Sequence, residues 1–362
     1  MSVDDRVARL RAAAGEAGLG AVLVTSPPSI FYLTGLDAEP FERLYAVAVT
    51  ARGGALIVPA LDREGAERAP TSLEVVDYSA ASDGFPELAG VLDGVRALGV
   101  EQEHLSLARA RRLQDAGAEL HDAQALVMGL RERKDADELA AIRHACTVVV
   151  DAMERMFSGL RVGDVEREVN ARIAFELASA GATESHPLIL FGPNASRPHD
   201  APGDRTLAAG DVVCADVSAR IGGYWADLTR CATVGPPTDW AQRAWVVVRD
   251  AQAAAIEAAR VGATAQDIDA AQRSIVEAAS DLGACLHGAG HAVGAEIHEP
   301  PFLVPGRDAP LAPGHVLTIE PGLYAEGVGG IRLEDDVAVT DGDPLLLSDM
   351  PLELREVRVD QP

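Results

Sequence analysis

DVVCADVSARIGGYWADLTR, residues 211–230, sets two strand-forming runs on either side of Gly222-Gly223 and reads as a β-hairpin. With the two glycines as the turn, Ile221 pairs with Tyr224 and Asp216 pairs with Thr229. Strand side chains alternate with period two, so Asp227 shares a face with Thr229. Asp216 and Asp227 are then diagonal neighbours, with Cα atoms roughly 7–8 Å apart. Two carboxylates so close on an apolar hairpin repel each other, and a cation between them would relieve the repulsion. A solvated pair is the alternative that the hairpin alone leaves open.

Working outward, the hairpin is preceded by helical patterns at about 131–157 and 164–180, the second with Asp164 as its N-cap, and by a short strand at 188–191. It is followed by Ala-rich helical patterns at about 240–260 and 265–282. Next come LHGAGHAVGAEIHEP, residues 286–300, and HVLTIEPGLYAEGVGGIRLEDDVAV, residues 315–339. The last stretch reads as a second acid-bearing hairpin, with Glu320 on one arm and Glu334 on the other. Helix, helix, hairpin therefore occurs twice, as a duplicated half-domain around a pseudo-twofold axis would give.

The first third alternates helix and strand signals: a helix near 3–17 and strands near 21–26, 45–50, 55–59 and 73–78, with Gly53-Gly54 as a turn. This predicts a smaller α/β domain over residues 1–128, carrying no cluster of chemistry-bearing side chains, ahead of a larger α+β domain over 129–362. The net charge of −25 argues against a nucleic-acid partner, whose phosphates it would repel. No apolar run reaches the ~18 residues of a membrane span. Residues 1–18 are amphipathic and lack the apolar centre of a secretory signal. Cys146, Cys214, Cys231 and Cys285 show no CxxC spacing and read as buried reduced thiols of a cytoplasmic protein. Lys134 is the only lysine, which reads as compositional bias.

His287, His291 and His298 lie between the two acidic hairpins, and His199 lies just ahead of the first. Two Asp, two Glu and one His are thus available for a dinuclear metal site. Gly288-Ala289-Gly290 with Gly294 is a poor phosphate loop, because the spacing is not GxGxxG. Those glycines better serve close backbone approach while His291 turns inward.

The paired aspartates followed by Leu-Thr-Arg, with GHAVG, IEPGLY and IRLED in that order, carry a resemblance. Over about residues 131–355 the chain resembles the pita-bread metallopeptidases: methionine aminopeptidase, aminopeptidase P and prolidase, with creatinase as a non-metal relative. The first third resembles the N-terminal domain of the prolidase and aminopeptidase P branch. SIFYLTGL, residues 29–36, is similar to that branch's signature, with Ser29 where Asn is usual.

The resemblance implies a C-terminal pita-bread catalytic domain holding two divalent ions on Asp216, Asp227, His291, Glu320 and Glu334. Manganese is the first expectation for this oxygen-rich set, with cobalt and zinc as alternatives. It implies Glu320 as proton acceptor as well as ligand, and His199 and His298 as catalytic groups that stabilise the tetrahedral intermediate. His287 would line the substrate pocket, and Tyr324 and Arg332 would complete it by orienting ligands. The implied activity is hydrolysis of the bond preceding proline in short peptides by a homodimer. Xaa-Pro dipeptidase is the first expectation and Xaa-Pro aminopeptidase the alternative; a small-amide hydrolase or a non-enzymatic binding module on the same fold are further ones.

One departure stands out. Many prolidases carry an arginine shortly after His-Glu-x-Pro, where its planar fork pairs with a dipeptide's carboxylate. Here His298-Glu299-Pro300-Pro301 is followed by Phe302, which cannot pair with a carboxylate but can pack beside the proline ring; either another arginine, from the first domain or a partner subunit, reads the carboxylate, or it is not read strongly. Weak discrimination by substrate length is the expectation. His315 reads as a turn residue, and His104, His121, His144 and His186 receive no role.

Overall fold

Ser2 accepts the Asp5 N–H while the Asp5 carboxylate accepts the Ser2 N–H, and this capping box starts α1 (Val3–Glu16). The computed structural model describes residues 1–358, and the chain divides into two compact units, Met1–Arg131 and Glu132 onward.

The first unit is a mixed six-stranded sheet of β1 (Ala21–Val24), β2 (Ala46–Thr50), β3 (Gly53–Pro59), β4 (Glu74–Tyr78), β5 (Ala97–Val100) and β6 (Glu119–Asp122), in the order β4-β3-β2-β1-β5-β6. Five helices join α1 around it: α2 (Pro27–Thr34), α3 (Arg63–Glu67), α4 (Phe85–Val91), α5 (Leu107–Asp115) and α6 (Gln124–Arg131). Val7, Leu10, Ala66 and Val127 pack with Val22, Val47 and Leu56 on one side, and Leu88 and Leu113 pack with Leu23, Ala48 and Ile57 on the other. The turn between β2 and β3 is Ala51-Arg52, not Gly53-Gly54, because pairing runs on to Thr50 opposite Gly53. The Thr50 hydroxyl closes this turn by accepting the Arg52 and Gly53 N–H groups.

In the second unit, Asp135 caps α7 (Ala136–Gly159) with the Asp137 and Glu138 N–H groups. Helix α8 (Glu166–Ser179) follows. Asp164 is not its N-cap, since its carboxylate accepts the Arg161 N–H within the preceding turn. Strand β7 (Ala182–Phe191) is longer than the apolar run at 188–191 implied, because its first half is polar and solvent-facing.

Strands β8 (Val212–Ile221) and β9 (Tyr224–Val234) form the expected hairpin, with Ile221 opposite Tyr224 and Asp216 opposite Thr229. Gly222 and Gly223 hold φ of 59° and 86°, the left-handed pair a two-residue I′ turn demands. The remaining elements are α9 (Asp239–Ala258), α10 (Ala265–Ala278), β10 (Gly290–Ala292), β11 (Glu299–Leu303), β12 (Val316–Ile319), β13 (Gly322–Ala325), β14 (Gly329–Arg332), β15 (Asp335–Ala338), β16 (Leu345–Leu346) and β17 (Arg355–Val357).

They complete two sheets, β17-β9-β8-β7 and β11-β10-β12-β15-β16, and a separate β13-β14 ribbon. The Ala-rich stripe of α9 packs against Cys214, Cys231, Leu323 and Ile331 at one end and near Leu317 and Val337 at the other. The second acidic hairpin differs from its reading. β12 pairs with β15, Ile319 opposite Asp335, and β13-β14 is inserted between them. Pro321 has no N–H to continue the ladder, so the chain leaves the sheet there. Glu320 and Glu334 therefore sit at the two breaks and not on continuous arms.

Candidate metal centre

The elements above deliver their polar side chains to one place. β8 and β9 supply Asp216 and Asp227, β10 supplies His291, and the breaks beside β12 and β15 supply Glu320 and Glu334. The backbones of Thr229 and Glu334 exchange N–H···O bonds of 3.4 and 3.1 Å, which brings Glu334 against the aspartate hairpin. All four acids and His291 line a cleft of about 450 Å³, together with His199, His287, His298, Phe302 and Arg332.

At the back of the cleft, one ligand atom each from Asp227, His291 and Glu334 lies within 4.8 Å of the other two. His291 Nε2 stands 4.0 Å from Asp227 Oδ2 and 3.7 Å from Glu320 Oε1. Its Nδ1 lies 3.1 Å from the Ala292 carbonyl, which can only accept, so Nδ1 carries the proton and Nε2 offers its lone pair to the acids. Asp227 Oδ1 is buried with no hydrogen-bond partner among the described residues.

The acids are held far from their ordinary ionisation. Burial, then the charges of Glu334, Asp216, Asp336 and Glu320, pushes the Asp227 carboxyl well above the carboxylate range. Burial, then Glu320 and Asp216, does the same to Glu334. Glu320 is raised to about 7 by burial, against the opposing pull of Arg332. Burial holds His287 and His291 down at about 4 each, so both imidazoles are neutral near pH 7. Crowded carboxylates, an unpartnered carboxylate oxygen and an imidazole with its lone pair directed at them form a donor set that fits hard divalent cations.

Arg332 organises the wall. Its Nη2 pairs with Asp216 Oδ2, and its Nε donates to Thr229 Oγ1 at 3.1 Å. The Thr229 hydroxyl donates in turn to Glu334 Oε2 at 2.6 Å. Arg332 Nη1 donates to the Tyr324 hydroxyl at 2.9 Å. His287 Nδ1 donates to the Gly288 carbonyl at 2.9 Å, which leaves Nε2 to accept from Tyr324 at 2.7 Å. One guanidinium thus sets the orientation of Asp216 directly, of Glu334 through Thr229, and of His287 through Tyr324.

Every candidate site residue except Tyr324 lines the cleft; Tyr324 is buried behind His287. His199 and His298 are exposed at the cleft, and the His298 ring meets His291 edge-on at 4.3 Å between centroids. His315 is buried and closes its turn through Nδ1 and Ala312. Cys285 is partly exposed, unlike the other three thiols.

Three residues escaped the sequence reading. Thr229 could have been found by strand parity, two residues beyond Asp227. His186, given no role, faces Ser218, which faces Asp227, and its ring stacks on Trp225 at 5.3 Å. Asp336 accepts the Asp227 N–H and the Cys146 thiol, and burial raises it to about 7. Nothing in the dipeptide Asp335-Asp336 said which acid turns toward the hairpin.

Known proteins resemble this chain in sequence and fold. The sequence profile of metallopeptidase family M24 matches residues 140–341, and that of the creatinase/prolidase N-terminal domain matches residues 6–133. The chain is 33% identical over 361 residues to the probable dipeptidase PepE of Mycobacterium bovis, covering 98% of this chain and 96% of the relative. An Xaa-Pro dipeptidase from Bacillus anthracis superposes with a TM-score of 0.91 at 29% identity, over 98% of this chain and 100% of that one. An X-Pro aminopeptidase from Thermotoga maritima superposes with a TM-score of 0.89 at 26% identity, over 97% and 99%. The two-part fold expected from the resemblance is the fold of these neighbours. With the profile spanning the whole acidic centre and full-length likeness on both counts, the chain belongs to metallopeptidase family M24.

Proposed function

We propose that this cleft hydrolyses the peptide bond preceding proline in short peptides, acting first as an Xaa-Pro dipeptidase. The observation that carries the reading is the Asp227–His291–Glu334 cluster at the back of a cleft whose front is set with His199 and His298. The likeness to an Xaa-Pro dipeptidase across the full chain supports the choice of substrate.

Asp216, Asp227, His291, Glu320 and Glu334 would hold two divalent ions, manganese first, with cobalt or zinc as alternatives. Such ions supply Lewis-acid activation of the attacking water and of the scissile carbonyl. Glu320 takes the proton released in the attack, as a carboxylate beside the attacking water can. His199 and His298 stabilise the developing oxyanion from the open side. Neutral His287 lines the pocket, and Phe302, 41% exposed, packs beside the proline ring. The working unit in this reading is a cytoplasmic homodimer. Four free cysteines suit a reducing compartment, and no helix among the described residues is long and apolar enough to cross a membrane.

A second reading, Xaa-Pro aminopeptidase, is favoured by one observation. Among the described residues lining the cleft, Arg332 is the one arginine or lysine. Each of its three nitrogens already donates, to Asp216, Thr229 and Tyr324, and the residue is buried, so it is engaged in holding the wall and not set out as a fork for a peptide carboxylate. Turnover of Gly-Pro, Ala-Pro, Ala-Pro-Ala and Ala-Ala by Mn²⁺- or Co²⁺-loaded protein tests both readings. The expected result is cleavage before proline that ceases on chelation and returns with metal. Equal cleavage of Ala-Ala, or activity unchanged by chelation, would contradict the proposal.

A further inference from the structure

Every basic side chain among the 31 lysines and arginines is an arginine except one, and that one is buried. Lys134 Nζ lies 2.9 Å from Glu299 Oε2, and each side chain is 1% exposed. The other Glu299 oxygen accepts the Glu296 N–H at 3.1 Å. Gly294 runs against the pair: a Cβ there would fall 2.7 and 2.8 Å from the two Glu299 oxygens and 2.8 Å from Lys134 Cε. The Gly294 carbonyl accepts the Trp225 N–H at 2.9 Å, two residues ahead of Asp227 on β9. The Lys134 N–H donates to the Gly314 carbonyl at 2.7 Å, just before β12.

The ion pair therefore sits under the loop that runs from Gly294 to Glu299, between His291 and the start of β11. His298 is the next residue before Glu299. Among the described residues its imidazole makes no hydrogen bond, and its one ring contact is the edge of His291. A side chain held so lightly goes where its backbone puts it. That backbone is tied by the Gly294 N–H to the Glu296 carbonyl at 3.0 Å and by the Glu299 carboxylate, which takes the Glu296 N–H on one oxygen and Lys134 on the other.

Stability alone does not account for the pair. Burying two ions costs several kcal/mol each, and apolar residues of like volume are often as stable or more so. An ion pair with hydrogen bonds supplies direction, which apolar packing does not. The space explains why a chain otherwise built with arginine keeps a lysine here: a planar guanidinium is bulkier than an ammonium, and Gly294 already marks the limit of approach.

We propose that Lys134, acting through Glu299, is the positioning residue for His298: the buried pair pins the Gly294–Glu299 loop so that the imidazole faces the cleft. The inference rests on the reading of His298 as a substrate-contacting group. Its test separates the two by including a measurement that needs no turnover.

The variants are Lys134→Met, the apolar double replacement Lys134→Met with Glu299→Met, and the latter combined with His298→Ala. The readouts are melting temperature, bound metal, amide hydrogen exchange at residues 293–299, and kcat and KM for Ala-Pro. The single variant strands a buried carboxylate and should melt lower; the double variant should regain most of that loss and keep its metal. The double variant should still exchange faster at 293–299. Its kcat should fall by about tenfold to a hundredfold, with KM moving less. No further loss of kcat should follow when His298→Ala is added. Wild-type exchange at 293–299 in the double variant would overturn the proposal, whatever the enzyme's activity. Wild-type kcat would overturn it too, as would a kcat loss that only tracks loss of metal. Should the double variant not fold, Glu299→Gln carries the same readouts, since it removes the ion pair while keeping an acceptor for the Glu296 N–H. If metal-loaded wild type does not cleave Ala-Pro, the functional reading fails, while the exchange measurement still decides whether the pair pins the loop.

Discussion

At the scale of single residues, the acids of the cleft fold against their own repulsion, and this has a pH signature. Glu320 and Asp336 titrate at about 7 in the folded chain, raised from 4.5 and 3.8. The folded state thus holds protons that the unfolded chain has released, and that stabilisation is lost as pH rises through about 7. His287 and His291, lowered from 6.5 to about 4, act the other way, chiefly below 6.5 and more weakly above it. Metal-free protein should therefore melt lower at pH 8 than at pH 6.5. Saturating Mn²⁺ or Co²⁺ should shrink or reverse the gap, because bound ions take the protons' place. Calorimetry at the two pH values, with and without chelator, checks this; a gap that metal leaves untouched would contradict it. Thr229→Val removes the hydroxyl between Arg332 and Glu334 with little change of shape. Metal affinity should fall by about 10–100-fold with the fold retained, as titration calorimetry would read. The five ligand candidates were legible because each lies in a short stretch of distinctive composition. Thr229 and Asp336 were not, because a hydroxyl or an acid beside a ligand has no signature until the strands are paired.

At the scale of elements, β9 is fastened to β15 by a side chain that never reaches the cleft. Arg230 is 1% exposed. It donates to the carbonyls of Thr229, Glu334, Met350 and Pro351 and to Asp335 Oδ1, at 2.7–3.0 Å. Gln252 and Ser348 also donate to Asp335, so the carboxylate is satisfied only as part of this set. Arg230→Met strands that acid and several carbonyls, and should cost about 3–5 kcal/mol in urea unfolding. A loss under about 1 kcal/mol would show that the junction is not built as described. The first hairpin was readable to the residue, since a glycine pair and period-two alternation fix turn and register together. The second was not. Its pairing joins 316–319 to 335–338 across an inserted ribbon, and only Pro321 hinted that the ladder stops. Strand β7 was cut short in the reading because a polar edge leaves no apolar run to detect.

At the scale of the whole molecule, an acidic chain of net charge −25 concentrates cations near its surface, which favours loading of the cleft. Four of the six strands of the first unit's sheet were legible from their apolar runs; β5 and β6 were not, because each is only four residues long and β6 is polar. What that unit contributes to function was not, because none of its segments gathers chemistry-bearing residues. With Phe302 in place of a cation and Arg332 buried and bonded through each of its nitrogens, Ala-Pro and Ala-Pro-Ala should differ by less than about tenfold in kcat/KM, a gap of roughly 1.4 kcal/mol. Steady-state kinetics on the two peptides checks this, and a strict preference for Ala-Pro, with Ala-Pro-amide barely cleaved, would mean that another cation reads the carboxylate. The central question for this molecule is whether the crowded acids are a metal centre that does the hydrolysis. Elemental analysis of Mn²⁺-reconstituted wild type and Asp227→Asn, paired with Ala-Pro turnover on the same samples, tests that most directly. About two ions per chain are expected in the wild type. The variant should lose metal, and its turnover should fall at least about a hundredfold while its circular dichroism is unchanged. Wild type that retains no ion, or a variant that turns over Ala-Pro at the wild-type rate, would contradict the assignment.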